Sequence, residues 1–128
     1  MTNLEIIKKS YQSGAEGNVP GLVADFAEDG KWTEMAGAPY AGTYTGPKEI
    51  LDNVFTKMGT EWAPFACEPV EYIDAGDTIV MLGYYFGMHA ATKKEFRVRV
   101  AHVWRLKDGK IVNFEQFTDT KLIAEAMK

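Results

Sequence analysis

Residues 97–106 alternate strictly, with Val98, Val100, His102 and Trp104 on one side and Arg97, Arg99, Ala101, Val103 and Arg105 on the other. The pattern predicts a half-buried strand running into a tight Asp-Gly turn, with a single imidazole on its apolar face. Similar stretches predict strands near Phe65–Ile73, Thr78–His89, Glu95–Leu106 and Ile111–Phe117, separated by "DAGD", "AATKK" and "KDGK". The first half follows a different period. "TNLE" at residues 2–5 reads as a capping box, after which Leu4, Ile7, Tyr11 and Ala15 recur at helical spacing until Gly14 and Gly17. Pro20 opens a predicted second, short helix carrying Leu22, Val23 and Phe26, and Pro47 opens a third that buries Ile50, Leu51, Val54, Phe55 and Met58. "DGKWTEMAG" has no helical period and reads as extended. "TDTKLIAEAMK" predicts a short terminal helix.

Helices gathered first and hairpin-linked strands second predict an α+β fold, three N-terminal helices on a mostly antiparallel sheet, in a single domain over residues 1–128. The strand at 78–89 carries large apolar groups on both faces: Val80, Leu82, Tyr84 and Phe86 on one, Ile79, Met81, Tyr85 and His89 on the other. Helices in so short a chain cover one face only, so the second is expected to meet another subunit, in a homodimer.

Composition narrows the setting. The 46% hydrophobic and 25% charged content is ordinary for a globular domain. A net charge of −4 without a Lys/Arg cluster argues against nucleic acid as a partner. No apolar run approaches the roughly 20 residues of a membrane span. The N-terminus lacks the apolar core of a signal peptide, and the one cysteine, Cys67, cannot form an internal disulfide. These features are read as a reducing cytoplasm, with Cys67 a small core residue. Metal-ligand spacing is absent, and no metal or cofactor is expected.

"GTYTGPKEI", together with the strand run and "HVWRLKDGKIVNFEQFTD", resembles the SnoaL-like polyketide cyclases and the wider ketosteroid-isomerase superfamily over nearly the whole chain. The resemblance implies a cone-shaped α+β fold whose curved sheet wraps the helices around an apolar pocket. It also implies a small hydrophobic ligand that is isomerised, cyclised, dehydrated, hydrolysed or simply bound. Fold alone does not choose among these.

The resemblance singles out particular residues. His102 falls where the cyclases carry a pocket histidine and where the isomerases place the protonated acid of their oxyanion hole. That enzyme is a standard example of a carboxylic acid held neutral to donate a hydrogen bond, and a neutral imidazole also has one donor. Glu34 falls where the isomerases carry their general base, although it is Glu rather than Asp and is followed by Met35 rather than proline. Tyr11 lies one residue from the position of the isomerases' oxyanion tyrosine. Gln116 stands where the cyclases carry a basic Asp; an amide cannot take that proton, which sets the cyclase mechanism in doubt but leaves a ligand-orienting role. Glu115 points to the opposite face. Trp32, Met35, Val54, Phe55 and Val100 are expected to line the pocket with these groups. Each residue has a plainer reading: a bonded core histidine, a solvated edge carboxylate, a core tyrosine. Asp119 matches a family acid but equally suits an N-cap, and His89 is expected at a rim. The epoxide-hydrolase chemistry of the superfamily needs an Arg-Asp pair that "RVRVAHV" lacks. Glu34, His102 and Tyr11 are therefore the catalytic candidates, and a non-catalytic binding or dimerisation module is the rival reading.

Overall fold

A computed structural model describes all of residues 1–128. Helix α1 spans Asn3–Ala15, and a single 3-10 turn follows at Pro20–Leu22. Strands β1 (Phe26–Glu34) and β2 (Gly42–Thr45) lead into α2 (Gly46–Ile50), a π turn (Leu51–Phe55) and α3 (Thr56–Glu61), which run on as one rod. Strands β3 (Trp62–Asp74), β4 (Thr78–His89), β5 (Glu95–Lys107) and β6 (Lys110–Thr118) precede a terminal helix, α4 (Thr120–Ala126).

The six strands form one sheet in the order β2-β1-β6-β5-β4-β3. All neighbours pair antiparallel except β1 and β6, which run parallel, so the sheet is mixed. Three helices pack with it, and only α1 lies near the N-terminus, where three were expected. The predicted second helix shrinks to one turn because Phe26 is already in β1, where it pairs with Ile111 and is buried in the core. The third expected helix follows β2 and lies mid-chain.

Local chemistry accounts for the helix boundaries. The capping box forms as expected: Thr2 Oγ1 accepts from the Glu5 backbone N–H at 3.1 Å, and Glu5 accepts from the Thr2 N–H at 3.0 Å. Asp119 caps α4 by accepting from the Leu122 N–H at 3.1 Å. Gly46 starts α2 at φ +84°, and a Cβ there would lie 2.6 Å from the Glu28 carbonyl oxygen, so no larger residue fits. Gly83 has a similar role inside β4. A Cβ would stand 2.2 Å from the Glu68 carbonyl oxygen, where β3 bulges between Pro69 and Glu71.

The two faces of the sheet differ as the alternation predicts. Val98, Val100, His102 and Trp104 are buried beneath the helices with Ile79, Met81 and Tyr85, while the Arg97–Arg105 set faces outward. Ile7 of α1 and Ile50 and Val54 of the central rod close the core from the other side, each fully buried. No helix is long and apolar enough to cross a membrane.

Candidate functional site

Five polar side chains are buried in the core region: Ser10, Ser13, Glu34, His102 and Gln116. His102 and Gln116 belong to one hydrogen-bonded array on the inner sheet face, and Glu34 stands beside it, bonded to Trp32. A buried polar group without partners costs ~1–3 kcal/mol, so the array must be closely satisfied to persist.

His102 sits mid-β5, directly opposite Gln116 of β6. Both of its ring nitrogens are taken. Nδ1 lies 2.6 Å from the Tyr11 hydroxyl of α1, and Nε2 lies 2.5 Å from the Tyr85 hydroxyl of β4. Burial pushes the imidazole pKa down to about 3, so the ring is neutral. Trp104 donates its indole N–H to the Tyr11 oxygen at 2.8 Å. Gln116 donates its amide N–H to the Tyr85 oxygen at 3.0 Å and accepts from the Met35 backbone N–H at 3.2 Å. The backbone donor fixes which way the Gln116 amide points. Burial holds the Tyr11 and Tyr85 phenols well above their ordinary pKa, so both keep their protons at neutral pH.

Glu34 ends β1 on the same side as Trp32, as extended backbone requires. The Trp32 indole N–H donates to the carboxyl at 3.2 Å. Burial raises the Glu34 pKa to about 7, against the weaker opposing pull of the Trp32 and Gln116 donors. The carboxyl is thus half-ionised near neutrality, where a general base is most effective.

The surrounding walls are aromatic. Trp32 stacks on Phe114 with ring centroids 3.7 Å apart and meets Phe55 edge-on at 5.2 Å. Phe55 lies in the π turn, a helical irregularity common at functional sites. Trp32, Val54 and Val100 are buried, and Met35 and Phe55 are partly exposed. Two concavities lie elsewhere. One of about 340 Å³ opens on the outer sheet face between Val70 and Phe117, and one of about 590 Å³ lies between β5 and α4. Neither touches Glu34 or His102, and the polar groups that converge on His102 beside Glu34 make the buried array the candidate site.

A one-residue irregularity decides what faces His102. The turn pairs Lys107 with Lys110, and an unbroken ladder from there would set Glu115 opposite His102. The ladder shifts between Arg105 and Leu106, bringing Gln116 into that place, while Glu115 turns outward to Arg105 at 3.3 Å. Tyr85 was not among the residues singled out from the sequence. The alternation placed it on one face of the strand with Met81, but nothing local indicated that its hydroxyl reaches His102. Cys67 pairs with Tyr85 across β3 and β4, and burial pushes its thiol up to about 12, so it is an inert core thiol at neutral pH. His89 packs edge-on to Trp62 at 4.9 Å, partly buried at the end of β4.

The SnoaL-like domain family matches residues 7–114. The chain belongs to that family. No curated protein matches this chain in sequence. Among solved structures, an NTF2-like protein from Burkholderia thailandensis is similar at 45% identity, with a TM-score of 0.97 over 100% of this chain and 98% of the other. An NTF2-like protein of unknown function from Burkholderia pseudomallei matches at 27% identity and TM-score 0.91, over 98% and 97% of the two chains. TerC, co-crystallised with polyporic acid, shares the fold at 23% identity and TM-score 0.88, over 98% and 97%. Membership of the family gives the fold, and the chemistry of this member follows from its own residues.

Proposed function

We propose that this SnoaL-like chain binds a small hydrophobic molecule bearing a carbonyl group and, as an enzyme, moves a proton beside that carbonyl. Glu34 takes the proton from the carbon next to the carbonyl, leaving an enolate and a neutral carboxylic acid. Where the molecule carries a carbon–carbon double bond β,γ to the carbonyl, the enolate is a dienolate and the acid returns the proton to its γ-carbon, which completes an isomerisation to the conjugated compound without cofactor or metal. The enolate oxygen lies against the buried array that Tyr11, His102, Tyr85 and Gln116 build and takes its hydrogen bond from a tyrosine hydroxyl of that array, since preorganised donors are often the largest catalytic contribution. Trp32, Met35, Phe55 and Val100 supply the apolar contacts.

The observation that carries this reading is a buried carboxyl, bonded by Trp32, whose next residue, Met35, donates its backbone N–H to Gln116, which in turn donates to a buried tyrosine–histidine pair. A core carboxylate with no task is costly to keep. The test is hydrogen–deuterium exchange at the α-carbon of small cyclic ketones, followed by proton NMR. Exchange catalysed by the wild type and absent from Glu34→Gln supports an enzyme. Ketone binding without exchange in either protein favours a non-catalytic binding module.

The outer sheet face supports self-association. Val70, Ile73, Phe86 and Phe117 are 36–63% exposed there, beside Val80, Leu82 and Val103. Exposed apolar side chains gathered on one face, here beside Arg97 and Arg99, mark an interface, and we propose that it pairs two copies of the chain. Sedimentation at micromolar concentration is expected to give a dimer, and a monomer would contradict it. The lone, inert Cys67 suits a reducing cytoplasm as the setting.

A further inference from the structure

Counting protons in the buried array gives a result that heavy-atom distances conceal. Trp104, Tyr11, His102, Tyr85 and Gln116 are joined by four contacts in series. The neutral imidazole has one N–H and one bare nitrogen, and each tyrosine has one O–H. Trp104 and Gln116 can only donate at their contacts, the latter because its oxygen is committed to the Met35 N–H. Counting only the Gln116 N–H aimed at Tyr85, five protons are therefore available for four contacts. Whichever tyrosine accepts the imidazole N–H keeps its own hydroxyl proton free, since neither hydroxyl has any further protein partner. An imidazolium would free both.

We propose that the free proton belongs to Tyr85, and that Tyr85 is the donor offered to a ligand's oxygen, with His102 a positioning residue held as its Nε2–H tautomer. Tyr11 then donates to Nδ1, and the Tyr85 oxygen accepts from both His102 Nε2–H and Gln116. With both lone pairs engaged, its proton is polarised and has only an outside acceptor to meet. Position favours Tyr85 over Tyr11. One amide, that of Gln116, spans from the Tyr85 hydroxyl to the backbone N–H of Met35, the residue after Glu34. Tyr11 lies at the far end of the array, between Trp104 and Tyr72. The Nε2–H tautomer is also the intrinsically favoured form of a neutral histidine side chain. The ligand class is accordingly a ketone or enolate whose oxygen reaches Tyr85 while its α-carbon faces Glu34. This assignment refines the function proposed above and rests on it for the ligand, but not for the tautomer.

Two measurements test it. Nitrogen-15 NMR of histidine-labelled, ligand-free wild type at pH 7 should show His102 protonated at Nε2 and bare at Nδ1. Protonation at Nδ1, or at both nitrogens, overturns the assignment and needs no variant. The second uses carbonyl-labelled 2-cyclohexenone and infrared difference spectra. The bound carbonyl stretch should move to lower frequency in the wild type and in Tyr11→Phe. In Tyr85→Phe the shift should vanish, with binding weakened roughly tenfold, the loss of one hydrogen bond. A shift lost in Tyr11→Phe and kept in Tyr85→Phe gives the role to Tyr11. If the wild type binds no ketone, the ligand class fails, while the NMR result still decides where the free proton sits.

Discussion

The two ends of the buried site are built on opposite plans. At one end His102 has both nitrogens bonded to tyrosine hydroxyls and is neutral far below physiological pH. At the other, the Glu34 carboxyl is bonded by the Trp32 indole and balances between its two charge states near pH 7. Both groups are equally buried, so burial alone does not tell a scaffold from a reagent. Free valence does. A side chain whose every polar atom is committed to the fold positions its neighbours, whereas one left poised can exchange a proton with a substrate.

The comparison breaks most visibly under substitution of Glu34. Glu34→Gln keeps the shape and the contact with Trp32 but has no basic oxygen, so α-proton exchange should fall by about 10²–10⁴-fold, the usual contribution of a general base. Ketone affinity measured by titration should stay within a few-fold. A variant that exchanges at the wild-type rate removes Glu34 from the chemistry.

Replacing His102 should act on the fold instead. His102→Ala empties a buried site and leaves two tyrosine hydroxyls short of a partner, so thermal or urea unfolding should report a loss of about 3–5 kcal/mol. The fully bonded ring makes a mild phenotype in stability the result that would contradict its positioning role. The same ring should make the protein acid-sensitive. It is neutral when folded, with a pKa of about 3 against an ordinary 6.5, so its contribution is complete above about pH 6.5 and lost as pH falls toward 3.

Glu34 should show the reverse dependence. The folded carboxyl keeps its proton to about pH 7, while the unfolded one releases it near 4.5. The folded state binds more protons across that window, so stability is greatest below about 4.5 and declines as pH rises to 7. The decline amounts to at most about 3 kcal/mol. The wild-type profile superimposes the two opposed trends, and subtracting the Glu34→Gln profile isolates one of them. A flat difference between pH 4.5 and 7 would place Glu34 in contact with water. Smallest of all, Thr2→Ala removes the α1 cap far from either group and should cost ~1 kcal/mol by urea unfolding without altering the exchange rate.

Much of this arrangement was legible along the chain. Period-2 alternation put His102 on the buried face, and the extended reading of "KWTEM" put Trp32 and Glu34 on one side. Short elements were less visible. "GTYT" reads as turn residues yet makes an edge strand with β1, because four residues carry too little pattern to reveal a partner. The parallel pairing of β1 with β6 joins segments some eighty residues apart, and no local signal encodes it. The shift that sets Gln116 against His102 left a trace: Ile111 and Phe114, three apart, are both buried, which a regular strand forbids. Tyr85 was hidden for a different reason. Its inward direction follows from parity, but the reach of a hydroxyl to a ring four residues further along the neighbouring strand depends on the packed geometry.

The central claim is that Glu34 is the poised group, and its own titration tests that most directly. Infrared difference spectra between wild type and Glu34→Gln isolate the carboxyl and carboxylate bands of this one side chain as pH is varied. A midpoint near pH 7 is the result expected from its burial. A midpoint near 4.5, the value of an ordinary exposed glutamate, would contradict the account, because such a carboxylate would be neither buried nor basic enough for the role assigned to it.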